Sequence, residues 1–157
     1  MKLSITNSLA GQLNRSAALF NNSKDNAAGK VAGVLQTHFS NSFADEGFTD
    51  ESLQQWQQVK RRLPGTPEYK YPKFHDLDRR TRKILVGKGT PVLSQSVQVM
   101  SASFTNGITV GTTVPYAAYH NTGTDKLPKR EFIGDSKQMM TKVGNVFDKW
   151  LNEIFRY

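Results

Sequence analysis

The stretch Val97-Gln-Val-Met-Ser-Ala-Ser-Phe-Thr-Asn-Gly-Ile-Thr-Val-Gly-Thr-Thr-Val114 decides the fold class of this chain. Its first half alternates between two sets of side chains, and a period of two is typical of a β-strand. Asn106-Gly107 follows, which is the strongest short signal for a two-residue type I′ turn. Ile108–Val114 then has the composition of a return strand. The sequence therefore predicts an antiparallel β-hairpin within about residues 93–114.

Helical patterns lie on both sides of this hairpin. Apolar residues at helical spacing predict one helix over 8–20 and a second over 25–43, with Asn21-Asn22-Ser23 as an interruption between them. A last amphipathic helix is predicted to begin after an N-cap at Asp135 or Ser136 and to run to about Ile154. The predicted fold class is α+β, with a small antiparallel sheet packed by the N-terminal helices and the C-terminal helix.

Length and composition set the limits of what the chain can be. A chain of 157 residues is most simply one domain, and it is long enough to bury one core. Residues 44–81 show no sustained period and predict a long basic loop inside that domain. There is no cysteine, which excludes disulfides, thiolate catalysis and zinc sites built on cysteine. No apolar run approaches a membrane span or a signal peptide, so we expect a soluble protein made in the cytoplasm.

The charge of the chain is strongly segregated. Residues 60–88 contain ten basic and three acidic side chains, a balance of +7 in a chain whose net charge is +8. Residues 89–124, in contrast, contain no Asp, Glu, Lys or Arg. The ten basic residues are Lys60, Arg61, Arg62, Lys70, Lys73, Arg79, Arg80, Arg82, Lys83 and Lys88.

Two interpretations of the basic segment 60–88 remain open. The cations alternate with Tyr69, Tyr71, Phe74 and His75, a mixture that suits phosphate neutralisation and base stacking on a nucleic acid. The alternative is a solvated basic loop without a partner.

The uncharged segment 89–124 also has two interpretations. It is either a polar hairpin rich in serine and threonine, or a surface covered by neighbouring chains. The second is favoured because the cores of protein interfaces are depleted in charge, and because exposed hairpin edges invite strand addition.

No constellation of residues indicates catalysis. His38 lies on an apolar helical stripe and is predicted to be a packed core histidine, and His75 belongs to a mixed charge run. For His120, a structural hydrogen bond to nearby backbone is favoured over general-base chemistry. Gly87 and Gly89 lack the spacing of a phosphate-binding loop. The sequence therefore predicts no enzyme, no catalytic residue, no metal ligand and no cofactor.

A second motif carries a family resemblance. Val114-Pro-Tyr-Ala-Ala-Tyr-His-Asn-Thr-Gly-Thr-Asp-Lys-Leu-Pro-Lys-Arg-Glu-Phe-Ile-Gly134 resembles the tail-completion, or virion morphogenesis, family of tailed bacteriophages, which includes proteins of Mu-like phages. The similar features are Tyr116-Ala117, His120, Gly123 and the strap from Pro128 through Arg130 to Phe132-Ile133-Gly134. The order of segments from about residue 30 to residue 155 also resembles that of the family.

The resemblance implies a structural protein of the virion at the head–tail junction, in tail completion, head–tail joining or the neck. It also implies a homo-oligomeric ring, typically hexameric, whose partners are neighbouring connector or neck proteins and tail-tube or terminator proteins. The basic segment would then face packaged DNA or an acidic partner ring, and no membrane is involved. The candidate subunit-interface residues are Val97, Val99, Phe104, Tyr116, Tyr119, His120, Arg130 and Phe132.

Arg130 has two interpretations of equal weight. Its planar fork suits a carboxylate or backbone carbonyl groups, including those of a neighbouring subunit. The alternative is a solvated arginine.

The alternative function belongs to another class. A small protein that binds nucleic acid without sequence preference would use residues 60–88, and its affinity would fall steeply with salt. A hydrolase is disfavoured because no convergent acid, base and nucleophile are visible.

Overall fold

A computed structural model describes residues 5–71, 79–87 and 92–155. The helices are α1 (Ile5–Asp45), α2 (Pro67–Lys70), α3 (Ala117–Thr122) and α4 (Lys137–Ile154), with short 3-10 turns at Lys60–Arg62 and Leu93–Gln95. The strands are β1 (Gly47–Thr49), β2 (Leu53–Gln55), β3 (Gln98–Ser103) and β4 (Gly107–Gly111). The predicted α+β class is confirmed, because the chain combines two small antiparallel sheets with a long N-terminal helix and a C-terminal helix.

The N-terminal region forms one helix, so the predicted interruption at Asn21-Asn22-Ser23 was wrong. The Ser23 hydroxyl donates to the Leu19 carbonyl at 2.6 Å, which lets a poor helix former stay inside the helix. The Trp150 indole of α4 donates to the same hydroxyl at 2.7 Å, and its ring lies 5.1 Å from that of Phe20. Packing against α4 therefore overrides the weak local propensity.

The predicted hairpin is present as β3 and β4, but its turn differs from the prediction. Ser103 pairs with Gly107, so three residues rather than two form the loop. Gly107 has a φ of 88°, whereas Asn106 does not have the positive φ that a type I′ turn requires. A three-residue loop followed by a left-handed glycine is the next common way to close a hairpin.

A second hairpin, β1–β2, lies in the segment that the sequence predicted as irregular. Gly47 pairs with Gln55, and a Cβ at Gly47 would lie 2.6 Å from the backbone oxygen of Gln54. The two strands have only three residues each, too few to show a period. The predicted loop over 44–81 therefore contains a hairpin, a 3-10 turn and α2 among its described residues.

The main core lies where α1, the strap and α4 meet. Ile84, Leu93 and Phe132 are the most completely buried large side chains. The Phe132 ring packs 5.0 Å from Phe43 of α1, and Met139 of α4 belongs to the same cluster. The α4 helix begins as predicted, because the Ser136 hydroxyl accepts a hydrogen bond from the Met139 amide at 3.1 Å.

Phe132→Ala is expected to lower the free energy of unfolding by about 3 to 5 kcal/mol, because it opens a cavity in this core. Phe132 is 1% exposed, whereas Phe155 is 51% exposed and serves as the matched control. Phe155→Ala should change stability by less than about 1 kcal/mol. Urea unfolding followed by circular dichroism measures both variants, and equal reductions in stability would contradict this assignment of the core.

Candidate interaction site

One carboxylate organises the basic segment. Glu46 follows α1 with a φ of 52°, a left-handed conformation that is uncommon outside glycine. Its carboxylate accepts two hydrogen bonds from the Arg62 guanidinium, at 2.6 and 2.8 Å, and a third from the Ile84 amide at 2.6 Å. The hydrogen bonds from Arg62 are the main cause that lowers the pKa of Glu46 below its ordinary value of 4.5.

The two adjacent arginines fold the segment 79–83 back onto the 3-10 turn. Arg61 donates from Nε to the Arg79 carbonyl at 2.7 Å and from Nη2 to the Arg82 carbonyl at 2.9 Å. Arg62 donates to the Arg82 carbonyl at 2.7 Å as well. These guanidinium groups therefore satisfy backbone carbonyls of their own chain, a role that the fork of five donors suits well.

The other basic residues of the segment differ in their surroundings. Arg80 lies over the Tyr69 ring, 4.1 Å from its centroid, and Lys83 donates to the Ala44 carbonyl at 2.6 Å. Lys60 and Lys70 are exposed. Arg79 and Arg82 are half-buried, while Lys73 and Lys88 lie outside the described residues. The segment is therefore partly a structural scaffold, and a smaller exposed cationic surface remains.

The strap, residues 128–134, is held by groups from α3 and from the segment that follows β2. The Arg130 amide donates to the His120 carbonyl at 2.8 Å. The Asn121 side chain accepts from the amides of Phe132 and Ile133 at 2.9 and 3.0 Å, and the Trp56 indole donates to the Glu131 carbonyl at 2.7 Å. Sequence analysis did not identify Asn121, since an asparagine between histidine and threonine carries no distinctive signal.

Arg130 is buried, so the interpretation of a solvated arginine was wrong. It is 7% exposed, and its Nη2 donates to the Gln57 carbonyl at 3.2 Å. Its Nε has no hydrogen-bond partner. Burial lowers the pKa of Arg130.

His120 lies beside this guanidinium, and its predicted side-chain bond to backbone is not made at Nδ1, which has no partner. Its ring packs edge-on to Tyr116, with centroids 6.0 Å apart. Burial lowers the pKa of His120, and the charge of Arg130 lowers it further. The ring is therefore held neutral beside a buried cation.

These side chains line a cavity of about 300 Å³ under the basic segment. Five of its lining residues are basic side chains: Arg61, Arg82, Lys83, His120 and Arg130. Neither aspartate nor glutamate is among the described residues that line it. The cavity, which we call the cationic cavity, was not predicted, because its residues come from five separate segments.

The candidate interface residues separate into an exposed and a buried set. Val99, Phe104, Tyr116 and Tyr119 are exposed, and Tyr119 reaches 58%. Val97, Arg130 and Phe132 are buried within the chain, so their side chains are not available to a neighbouring subunit in this conformation. That part of the prediction is corrected, and His120 is intermediate between the two sets.

His38 is confirmed as a core residue, whereas His75 lies outside the described residues. His38 is buried, its Nε2 lies 3.0 Å from the Thr49 carbonyl oxygen, and its ring packs against Phe48. Burial lowers the pKa of His38. Within residues 5–71, 79–87 and 92–155, no group of three or more histidine and acidic side chains is placed to hold a metal ion.

No described helix combines the length and the apolar character needed to cross a membrane. Comparison with protein-family models, with curated proteins and with solved structures found no match for this chain.

Glu46→Gln is expected to lower the free energy of unfolding by about 2 kcal/mol. The substitution weakens both the charge-assisted hydrogen bonds from Arg62 and the hydrogen bond from the Ile84 amide. The matched control is Glu51→Gln, which breaks the exposed Glu51–Lys137 pair and should cost less than about 1 kcal/mol. Urea unfolding at neutral pH measures both.

The pH dependence of the unfolding free energy of the same variant tests whether the charge of Glu46 causes this stabilisation. The folded-state pKa of Glu46 is lowered, so the stabilisation is complete above about pH 4.5 and declines as the pH falls through that lower pKa. The unfolding free energies of wild type and Glu46→Gln should converge in that acidic range. A difference that stays constant down to the lowest pH at which both fold would contradict the assignment.

Proposed function

We propose that this chain is a structural protein of a tailed bacteriophage particle. In this proposal it forms a homo-oligomeric, typically hexameric ring at the head–tail junction, as a tail-completion, head–tail joining or neck component. Its partners are connector or neck proteins on one side and tail-tube or terminator proteins on the other. The proposal assigns the chain no reaction and no cofactor.

The observation that carries the proposal is the exposure of large apolar side chains within the uncharged segment. Val99, Met100, Phe104, Tyr116 and Tyr119 are all exposed. Exposed apolar side chains that cluster on a protein surface mark interaction sites. Both β3 and β4 pair with one strand only in the described sheet, so each has an edge that can accept a strand from another chain.

The family resemblance supports the same conclusion. The motif residues that carry it are brought together in space: the strap is bonded to the end of α3 through His120 and Asn121. In a ring, the exposed Lys60 and Lys70 would meet packaged DNA or an acidic neighbouring ring.

Cryo-electron microscopy of tailed particles from the source phage is expected to show a ring of this chain at the head–tail junction. The double variant Val99→Asp/Tyr119→Asp should be missing from particles, because it places charge on the proposed contact surface. Met140→Asp, on an exposed residue of α4, is the control and should be incorporated normally. Absence of the wild-type chain from particles, or normal incorporation of the double variant, would overturn the proposal.

The alternative is non-specific nucleic-acid binding, favoured by the exposure of Lys60 and Lys70 within the basic segment. If it is correct, Lys60→Gln/Lys70→Gln should reduce the slope of log affinity against log salt by about 0.9 for each phosphate that is no longer neutralised. Lys126→Gln/Lys149→Gln removes two exposed cations elsewhere and serves as the control. Fluorescence anisotropy with a labelled duplex measures the slopes, and identical slopes in all three proteins would reject this alternative.

A further inference from the structure

The cationic cavity contains a buried charge with which no acidic side chain of the described residues pairs. The Arg130 guanidinium makes one hydrogen bond, to the Gln57 carbonyl, and no ion pair in the described part of the chain. Removing a charged group from water costs several kcal/mol unless a partner compensates it. A carbonyl at 3.2 Å compensates only part of that cost, so an anion entering the cavity would stabilise this residue.

The neighbouring groups reinforce the same preference. The His120 Nδ1 also lacks a partner, so two nitrogen atoms that can donate lie unsatisfied beside one cavity. Two of the other cations on the cavity wall have structural duties: Arg61 donates to the carbonyls of the 79–83 segment, and Lys83 donates to Ala44. Arg130 and His120 are the lining residues with a buried nitrogen that no described group bonds, and the surrounding positive charge favours an anion.

The apolar part of the wall determines the kind of anion. Val59, Leu85, Val86 and Tyr116 keep part of their apolar surface accessible along the lining, and the buried Ile84 and Leu93 lie behind them. A free inorganic ion would leave this surface without contacts. An anion carried on a short apolar stem would cover it, and about 300 Å³ has room for one acidic side chain.

We propose that the cationic cavity binds a carboxylate carried on a short apolar stem, the aspartate or glutamate side chain of another protein chain. Arg130 Nε and His120 Nδ1 donate to it. Both atoms are shielded from solvent, so binding requires a small shift of these side chains. The shift breaks no hydrogen bond at either nitrogen, and the bond from Arg130 Nη2 to the Gln57 carbonyl restrains its extent. The inference does not depend on the phage role, although in a ring the carboxylate would come from a neighbouring subunit.

Nuclear magnetic resonance of the arginine Nε–H groups tests the proposal directly in the wild-type protein. The probe is N-acetyl-glutamate N-methylamide, and the isosteric neutral control is N-acetyl-glutamine N-methylamide. The Arg130 Nε–H resonance, assigned by its disappearance in Arg130→Lys, is expected to move saturably with the glutamate probe and to stay in place with the glutamine probe. Equal shifts with both probes, or no saturable shift, would overturn the proposal.

Two further measurements distinguish a carboxylate ligand from a free oxyanion and test the role of Arg130. Inorganic phosphate should shift the resonance more weakly than the glutamate probe, and saturation by phosphate alone would show that the ligand is a free oxyanion rather than a carboxylate. Arg130→Lys keeps the charge but lacks the fork, so it should weaken binding of the glutamate probe at least about tenfold, followed on the His120 ring resonances. Lys126→Gln, an exposed cation outside the cavity, should leave the affinity unchanged. Incorporation into particles is measured independently, so failure of either proposal can be recognised without the other.

Discussion

The bond network of Glu46 is the constraint on which the rest of this structure depends. Its carboxylate joins the end of α1 to the Arg62 side chain and the Ile84 amide, and its own carbonyl accepts from the Trp56 amide at 2.8 Å. Three separate segments are thereby fixed relative to one another. The positive charges of Arg61, Arg62, Arg82 and Lys83 repel one another, and the Glu46 carboxylate offsets part of this repulsion. The wall of the cationic cavity exists because of this arrangement.

The arginines near this carboxylate use their guanidinium groups mainly for hydrogen bonds within the chain. A guanidinium carries five donors and is more weakly hydrated than an ammonium group, so it can satisfy several carbonyls that no strand or helix pairs. Arg61 and Arg62 do this for the irregular segment 79–83. The charge count of +7 therefore overstates the cationic surface that a nucleic acid could meet. Electrostatic attraction survives at a distance, but fewer side chains can bond to phosphates.

Local signals predicted the elements whose stability is local. The period-two pattern placed the β3–β4 hairpin, and the polar cap at Ser136 placed the start of α4. Elements that depend on distant contacts were missed: α1 continues past residue 23 because Trp150 packs there, 127 residues further along the chain. The cationic cavity could not be predicted for the same reason. Whether Arg130 is solvated or buried depends on how the strap lies. The side chains of Asn121 and Trp56 position the strap through hydrogen bonds to its backbone, and such bonds leave no pattern in the sequence.

Two features of the isolated chain remain energetically unfavourable, and they are chemically different. The hairpin region exposes apolar side chains to water, a cost that a covering surface of any apolar protein would remove. The buried Arg130 guanidinium has no acidic partner in the part of the chain that the structure describes, a cost that a negative group of limited size can remove. A partner that relieves the first cost supplies affinity, whereas one that also relieves the second must present a carboxylate at one position. An unpaired buried charge penalises every partner without that carboxylate, so the cavity would act mainly on specificity and would fix the register of one chain against the next.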